Sequence, residues 1–567
     1  MFKLLRNNSK LITPISSRIQ VSNFSYTAKN EPLLDYKQGS DERVQLKTKL
    51  MEFLSLNFAD KSEPLFDIPI VIGDKEIRNK NIKYQVAPFD HQLKLARFYH
   101  ADKATVEEAI KNGLAARAEW DNTSFDHRAD VLLKAADTIS KEKRMDVMAA
   151  TMLGQGKTVF QAEIDSTCEL ADFLRFNVQF LAEMLKYKPL DDLPDNRNDM
   201  FYRGLEGFVA AIAPFNFTAI GGNLASAPAL MGNSVLWKPS DTSVLSAYVV
   251  YKILRESGIP SGIINFVPAD GPVFGDAITS SPDLAAINFT GSVPTFKWLW
   301  KTVGQKLDIY KTFPRLSGEC GGKNFHIIHE SADIKNAAYA TIRGAFEFSG
   351  QKCSATSRLY VPESKWPEMK EYLVSMMDEL IIDSPLRFDA FTSAVIDETS
   401  FDKISSYIEY GKKSPNMTLL SGGYCNKEKG YFVQPTLFET SDPFEKLMKE
   451  EIFGPVLTAY VYKDSEYEEI LKTIDTTTPF ALTGGIFCRD EKMLAHTRKV
   501  LKQSCGNMYL NEKSTGAVVN QQPFGGARLS GTNDKPGGPH YLTRWTSPQS
   551  CKTFTGTNTT FKNPAML

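Results

Sequence analysis

Between Glu206 and Lys238 the chain carries no charged residue, and this run restricts the possible folds more than any other segment. An uncharged stretch longer than about 18 residues suggests a membrane-spanning helix. Pro214, Asn216, Gly221, Gly222, Asn223, Pro228, Gly232 and Asn233 interrupt it, and each break would leave backbone polar groups that lipid cannot satisfy. What fits is a segment buried inside an α/β core as strand, loop, helix and strand, with residues 208–213 and 234–237 β-prone around an Ala-rich middle.

The flanking sequence supports that core. Downstream, strand-like 263–267, 285–289 and 325–328 alternate with helix-like stretches such as 244–257, which implies βαβ units and a parallel sheet. Upstream, from 104 to 186, apolar residues recur at helical spacing: Val106, Ile110 and Leu114, then Ala129, Leu132 and Ala136, then Leu170, Leu174, Val178, Leu181 and Leu185. A second α/β alternation runs from 332 to about 510, with strand-like 358–361 and 458–462. Residues 188–207, rich in acids, prolines and Asn/Asp, read as a projecting β-hairpin or flap. The polar, Thr-rich end, 546–567, is either a disordered tail or a strand donated to a partner subunit.

Charge narrows the function. The 66 Lys plus Arg against 67 Asp plus Glu give a net charge of −1, so there is no global field to gather nucleic acid or an anionic membrane. The first 30 residues differ: Lys3, Arg6, Lys10, Arg18 and Lys29 occur with five serines and no acid, the profile of a mitochondrial transit peptide, assigned to residues 1–25. Cysteines 168, 320, 353, 425, 488, 505 and 551 are scattered, without CxxC or Cys/His ligand spacing. That pattern argues against a structural metal or a disulfide framework and points to a reducing compartment.

Two phosphate-binding fingerprints fail. The run Gly154–Thr158 ends like a P-loop, but Thr151 stands where the motif needs glycine, and no strand-linked GxGxxG occurs. What remains is a strand ending at Gly291-Ser292 with helix-like 294–300 behind it, which sets free N–H groups and a hydroxyl where a pyrophosphate can sit. A second strand exits through Lys238 with Asp241 three residues on. An acid beside a ribose favours free hydroxyls over a 2′-phosphate, hence NAD over NADP.

Three polar residues sit where local structure does not require them. Cys353 follows Gly350 in a turn with Lys352 beside it, a setting that exposes and stabilises a thiolate. Glu319 precedes the pair Gly321-Gly322, and a desolvated carboxylate there can take a proton from water. Asn216 follows a strand directly, so its amide is free to serve as an oxyanion donor. Singly, each is also open to a structural reading, because turns often carry a polar residue.

Together these segments resemble the aldehyde dehydrogenase superfamily from about residue 60 to 550: PFNF, WKPS, FTGS, ExGGK, GQKC, EEIFGP and PFGG occur in its order. GQGKT with AEID, PFNFTAIGGNL, FTGSVPTFK and QQPFGGARLSGTNDKPGGPHYL resemble in particular its branch that oxidises L-glutamate γ-semialdehyde, formed from 1-pyrroline-5-carboxylate, to L-glutamate with NAD in proline degradation. The alternatives are an aldehyde dehydrogenase of other substrate preference or a catalytically silent member.

The resemblance implies an α/β fold with a Rossmann-type cofactor domain (40–187 and 208–330), an α/β catalytic domain (331–520) and a small β-flap oligomerisation element (188–207 and 541–567). It implies Cys353 as nucleophile, Asn216 as oxyanion donor and Glu319 as base. NAD would be held by Lys238 and Glu451 at the ribose, Gly291 and Ser292 at the pyrophosphate, and by Val293, Pro294, Thr295, Phe453 and Asp241. The substrate carboxylate would be anchored by Ser354, Gly516 and Ala517, its chain by Phe217 and Phe524, and its amine by Glu169. Some relatives carry serine where this chain has Ala517, so only N–H donors remain at that position. A matrix enzyme assembling as a homodimer or higher homo-oligomer is expected, without metal, nucleic acid or membrane span.

Overall fold

The computed structural model describes residues 25–56, 63–191 and 193–567; the expected leader falls almost wholly outside them. Two seven-stranded sheets organise the chain. In the first, the order is Arg315–Glu319, Leu284–Thr290, Phe208–Ile212, Ser234–Lys238, Ile264–Phe266, Ile70–Ile72 and Lys75–Ile77. The first five strands run parallel; Ile70–Ile72 is antiparallel to Ile264–Phe266, and Lys75–Ile77 is antiparallel to Ile70–Ile72.

The uncharged run is interior, as its composition requires. Phe208, Val209, Leu236 and Trp237 are buried, and so are the two faces of the helix between them, Thr218–Leu230. Among the described residues no helix is long and apolar enough to cross a membrane. Helices Lys103–Asp121, Gly271–Thr279 and Val293–Gln305 cover one face of the sheet. Phe125–Ser140, Leu170–Met184, Thr218–Leu230 and Val244–Ser257 cover the other.

The second sheet has the order Met417–Ser421, Thr436–Thr440, Val456–Tyr462, Thr356–Pro362, Asn324–Ile328, Thr483–Phe487 and Asn507–Leu510. All neighbours in it are parallel except the first pair. Asn324–Ile328 sits in the middle of this sheet, so the boundary expected at residue 330 is too late. The chain crosses between sheets in residues 320–323, because Glu319 ends a strand of one and Asn324 begins a strand of the other.

The flap also differs from a local hairpin. Asn196–Arg203 pairs antiparallel with Ser547–Phe554, from Asn196 opposite Phe554 to Arg203 opposite Ser547. The C-terminal segment Ser547–Phe554 is therefore a strand of its own chain's ribbon. Only part of 541–567 belongs to it: Tyr541, Leu542 and Trp545 are buried in the core behind the first sheet, and Asn288 donates to the Tyr541 hydroxyl at 2.8 Å. Large aromatic side chains gain more by entering that core than by lying on a ribbon.

Candidate active site

In an open parallel sheet, ligands bind beyond the carboxyl ends of the strands, where the strand order reverses. Here the order reverses between Phe208–Ile212 and Leu284–Thr290. Asn216 follows the first of these strands, Gly291 and Ser292 follow the second, Lys238 ends a third and Glu319 ends the edge strand. The second sheet delivers the nucleophile loop to the same cleft through Asn324, whose amide nitrogen donates to the Cys353 carbonyl at 2.7 Å and to the Ala355 carbonyl at 2.8 Å.

Cys353 is reached through a strained turn. Phe348 and Ser349 both have φ of 52°, a region that non-glycine residues enter at a cost of about 1–3 kcal/mol each. Ser349 is held there by bonds to Thr392 and to the Ser393 carbonyl. Asn216, buried, donates its amide to the Gln351 carbonyl at 3.1 Å, two residues before the nucleophile. One amide hydrogen of Asn216 is left for an oxyanion.

The expectation of a thiolate stabilised by Lys352 is corrected. Burial pushes the Cys353 thiol well above its ordinary value, and Glu319 and Glu451 push it further. Lys352 is buried and ion-paired to Glu347 at 3.1 Å instead. Both carboxylate oxygens of Glu319 are buried, with the Gly526 N–H turned toward them. Burial first, then Asp534, raise it well above the usual carboxylate range, while Lys535 opposes them.

Glu451 lies against the glycine pair. A Cβ at Gly321 would stand 2.1 Å from its carboxylate oxygens, and the Gly322 N–H donates to it at 2.9 Å. Phe453, with φ of 60°, packs edge-on against Phe215 of the Asn216 loop at 5.8 Å between ring centres. Lys238 is half-buried, with Nζ 3.3 Å from the Pro239 carbonyl, and desolvation lowers it. Asp241 accepts from His100 Nε2 at 2.9 Å, so one of its oxygens is already engaged. Ser292 caps the helix Val293–Gln305 by accepting from Thr295 N–H at 3.3 Å, with Pro294 in the first turn.

Of the substrate candidates, Ser354 and the 514–517 loop are in direct contact. Ser354 donates to the Thr515 hydroxyl at 3.0 Å and Ser514 donates to the Ser354 carbonyl at 3.1 Å, which places the 514–517 loop next to the nucleophile. Gly516 turns this loop with φ of 93°. Phe524 lies further along, its N–H donating to the Pro536 carbonyl at 3.0 Å. Glu169 ends a π-helical turn, Glu163–Glu169, a geometry common at functional sites. Burial, then Asp165, raise it to about 8.

A family model described as the aldehyde dehydrogenase family matches residues 78–551. The chain belongs to the aldehyde dehydrogenase family. Within that family it is 56% identical over 539 residues to Delta-1-pyrroline-5-carboxylate dehydrogenase, mitochondrial, of Danio rerio, covering 95% of each chain. It is 55% identical over 524 residues to the Homo sapiens protein of that name, covering 92% of each. The crystal structure of the Delta-pyrroline-5-carboxylate dehydrogenase from Mycobacterium tuberculosis bound with NAD superposes with a TM-score of 0.91 at 42% identity, covering 96% of this chain and 100% of that one.

The structure adds residues of this aldehyde dehydrogenase site that sequence reasoning missed. Lys157, from the failed P-loop, is fully buried, 2.6 Å from Asp165. Its Nζ lies 4.1 Å from the centre of the Phe217 ring and 4.7 Å from that of Phe348. Asp165 also accepts from the Thr218 and Ala219 N–H groups, both at 2.9 Å, which caps the helix behind Asn216 from a distance. One buried ion pair therefore touches both loops of the site. Its signal was the pairing of GQGKT with AEID eight residues apart, two motifs with no visible reason to meet. Asn324 is another of these residues, because nothing local in the sequence shows that its amide reaches the Cys353 carbonyl.

Proposed function

We propose that the chain oxidises L-glutamate γ-semialdehyde, the open form of 1-pyrroline-5-carboxylate, to L-glutamate with NAD, in proline degradation in the mitochondrial matrix. The observation that carries this reading is the Ser354–Thr515 bond, which sets a carboxylate cradle one residue from the nucleophile. An aldehyde with a carboxylate a few carbons away spans that gap, and burying the carboxylate without such donors is costly.

Cys353 Sγ forms the bond to the aldehyde carbon, its proton leaving to solvent. The oxyanion is met by the free Asn216 amide hydrogen and the Cys353 N–H. NAD, when bound, supplies the acceptor for the hydride lost from this carbon. Residues that fit it are on hand: Gly291, Ser292, Val293, Pro294 and Thr295 form a capped helix start for the pyrophosphate. Lys238 and Glu451 serve the ribose hydroxyls, with Asp241 and Phe453 beside them. Glu319 then takes a proton from the water that attacks the thioester, releasing glutamate and the thiol.

Ser354, Gly516 and Ala517 bind the α-carboxylate, and Phe217 and Phe524 flank the chain. Glu169 takes the amine, with Lys352 and Lys157 supplying the opposing charges. Residues 40–187 and 208–319 carry the cofactor and 324–520 the nucleophile. The names of the relatives and the basic, acid-free start of the chain support the matrix assignment. A homodimer is supported by the ribbon of Asn196–Arg203 and Ser547–Phe554, which pairs with no third strand among the described residues. Deleting residues 547–567 is expected to shift the mass in solution from dimer to monomer; an unchanged dimer would remove the ribbon from that role.

The test of the activity is a substrate panel at fixed NAD, repeated with NADP. NADH formation from 1-pyrroline-5-carboxylate, lost in Cys353→Ala, is the expected result. A far higher kcat/KM for acetaldehyde or succinate semialdehyde would overturn the substrate assignment.

A further inference from the structure

Ahead of the first helix, Asp41–Ser55, lies a segment with no place in the chemistry above, yet it is bonded to both elements that hold the substrate's polar head. Asn30 Nδ2 donates to Asp172 Oδ2 at 2.7 Å and to the Val519 carbonyl at 3.0 Å. Asn30 Oδ1 accepts from Gln521 Nε2 at 3.0 Å. Asp172 stands one helical turn beyond Glu169 on the same continuous helix. Val519 and Gln521 follow Ala517 in the cradle loop. One side chain thus spans the amine side and the carboxylate side of the site.

The rest of the segment holds Asn30 in place. The Glu31 N–H donates to Asp172 Oδ1 at 2.7 Å, and the Glu31 carboxylate joins Arg144 at 2.9 Å and Arg175 at 2.6 Å. The Leu34 N–H and the Tyr36 hydroxyl donate to Glu163, the first residue of the π-helical turn, at 2.9 and 2.8 Å. Farther along, the cradle loop's other hydrogen bonds among the described residues are turn bonds, from Gln521 and Gln522 N–H to the Val518 carbonyl and from Val518 N–H to Gln522 Oε1, and one bond from Asn520 N–H to the Gly537 carbonyl. Those close the turn on itself or tie it to another loop. Asn30 ties it to the helix that carries Glu169.

We infer that residues 28–36 are a specificity strap, in which Asn30 fixes the spacing between the Gly516-Ala517 cradle and Glu169 and so favours aldehydes bearing an amino-acid head. This rests on the cradle reading given under the proposed function. Asn30 touches no substrate atom; it is a positioning residue. Without it, substrate binding has to order the loop itself, which lowers affinity by about tenfold.

The experiment compares wild type with Asn30→Ala, Gln521→Ala and Ser354→Ala, on glutamate γ-semialdehyde and on propanal, which has no polar head. Asn30→Ala is expected to raise KM for the semialdehyde about tenfold, with KM for NAD and kcat/KM for propanal within twofold of wild type. Gln521→Ala, which removes one of the three bonds, shifts KM in the same direction and by less. An equal loss on both aldehydes means a general structural role and overturns the strap. If Ser354→Ala discriminates between the aldehydes and the Asn30 and Gln521 variants do not, the strap fails and the cradle stands. If none of the three discriminates, the cradle fails and the strap with it.

Discussion

Glu319→Gln separates what this carboxylate costs the fold from what it contributes to catalysis. Both oxygens are buried, and burial is the largest cause of the raised pKa, only partly opposed by Lys535 and the Gly526 N–H. An acid whose folded pKa lies above its unfolded value binds more protons in the native state across the interval between the two. Stability therefore falls as pH rises from the ordinary value of 4.5 toward the raised one, by at most about 1.4 kcal/mol per pH unit. Below that interval both states are protonated and the group adds no pH dependence. Glutamine carries no such charge, so the variant gains stability relative to wild type as pH increases. Catalysis moves the other way. A general base supplies about 10²–10⁴-fold, or about 3–5 kcal/mol of barrier, and here only the hydrolysis of the thioester uses it. Removing the negative charge also eases ionisation of Cys353, whose thiol Glu319 raises. The expected trace on rapid mixing is a burst of about one NADH per site followed by turnover slowed by that factor. Denaturant midpoints measured from pH 5 to 8 should diverge, with the variant ahead at the alkaline end. Full steady-state turnover, a lost burst, or parallel stability profiles would refute the reasoning.

Three further outcomes follow from the site. Lys157→Met and Asp165→Asn each break a buried ion pair and should cost about 3–5 kcal/mol; in a double-mutant cycle the combined loss falls short of the sum by at least about 1 kcal/mol, and additive denaturation shifts would show that the pair does not couple the two loops. Alkylation of Cys353 by iodoacetamide in the cofactor-free enzyme should keep accelerating with pH through 9, because the thiol is raised; a plateau near pH 7 would mean a stabilised thiolate. Lys238→Met removes a charge-assisted bond worth about 1.5–3 kcal/mol, so KM for NAD should rise about 10- to 150-fold while KM for the semialdehyde at saturating NAD stays near wild type.

The parts of this protein legible in its sequence are those whose signal is local. The burial of 207–237 follows from the absence of charge, and the strand at 208–212 and the helix Val244–Ser257 follow from hydrophobic period. The helix start at Ser292 follows from a hydroxyl, a proline and a preceding strand. Misreadings came where a segment's partner is remote. The ribbon strand Asn196–Arg203 looked like half of a hairpin, but its partner lies 344 positions on for the Arg203 and Ser547 pair. Lys352 looked like a cation for the thiolate because it is adjacent in sequence, whereas Glu347, five residues back, takes it.

The sequence by itself determined the layering of the fold and the residue types needed for thiol ester chemistry, since periodicity, glycine pairs and the absence of charge are properties of neighbouring residues. Only the tertiary structure decided which of them act together and in what state of charge. Cys353, Glu319 and Glu451 meet across two sheets, and the low polarity there raises both the thiol and Glu319 above their ordinary values. Ionisation depends on water excluded by distant segments and on charges brought within a few ångströms of one another, and no local pattern encodes either.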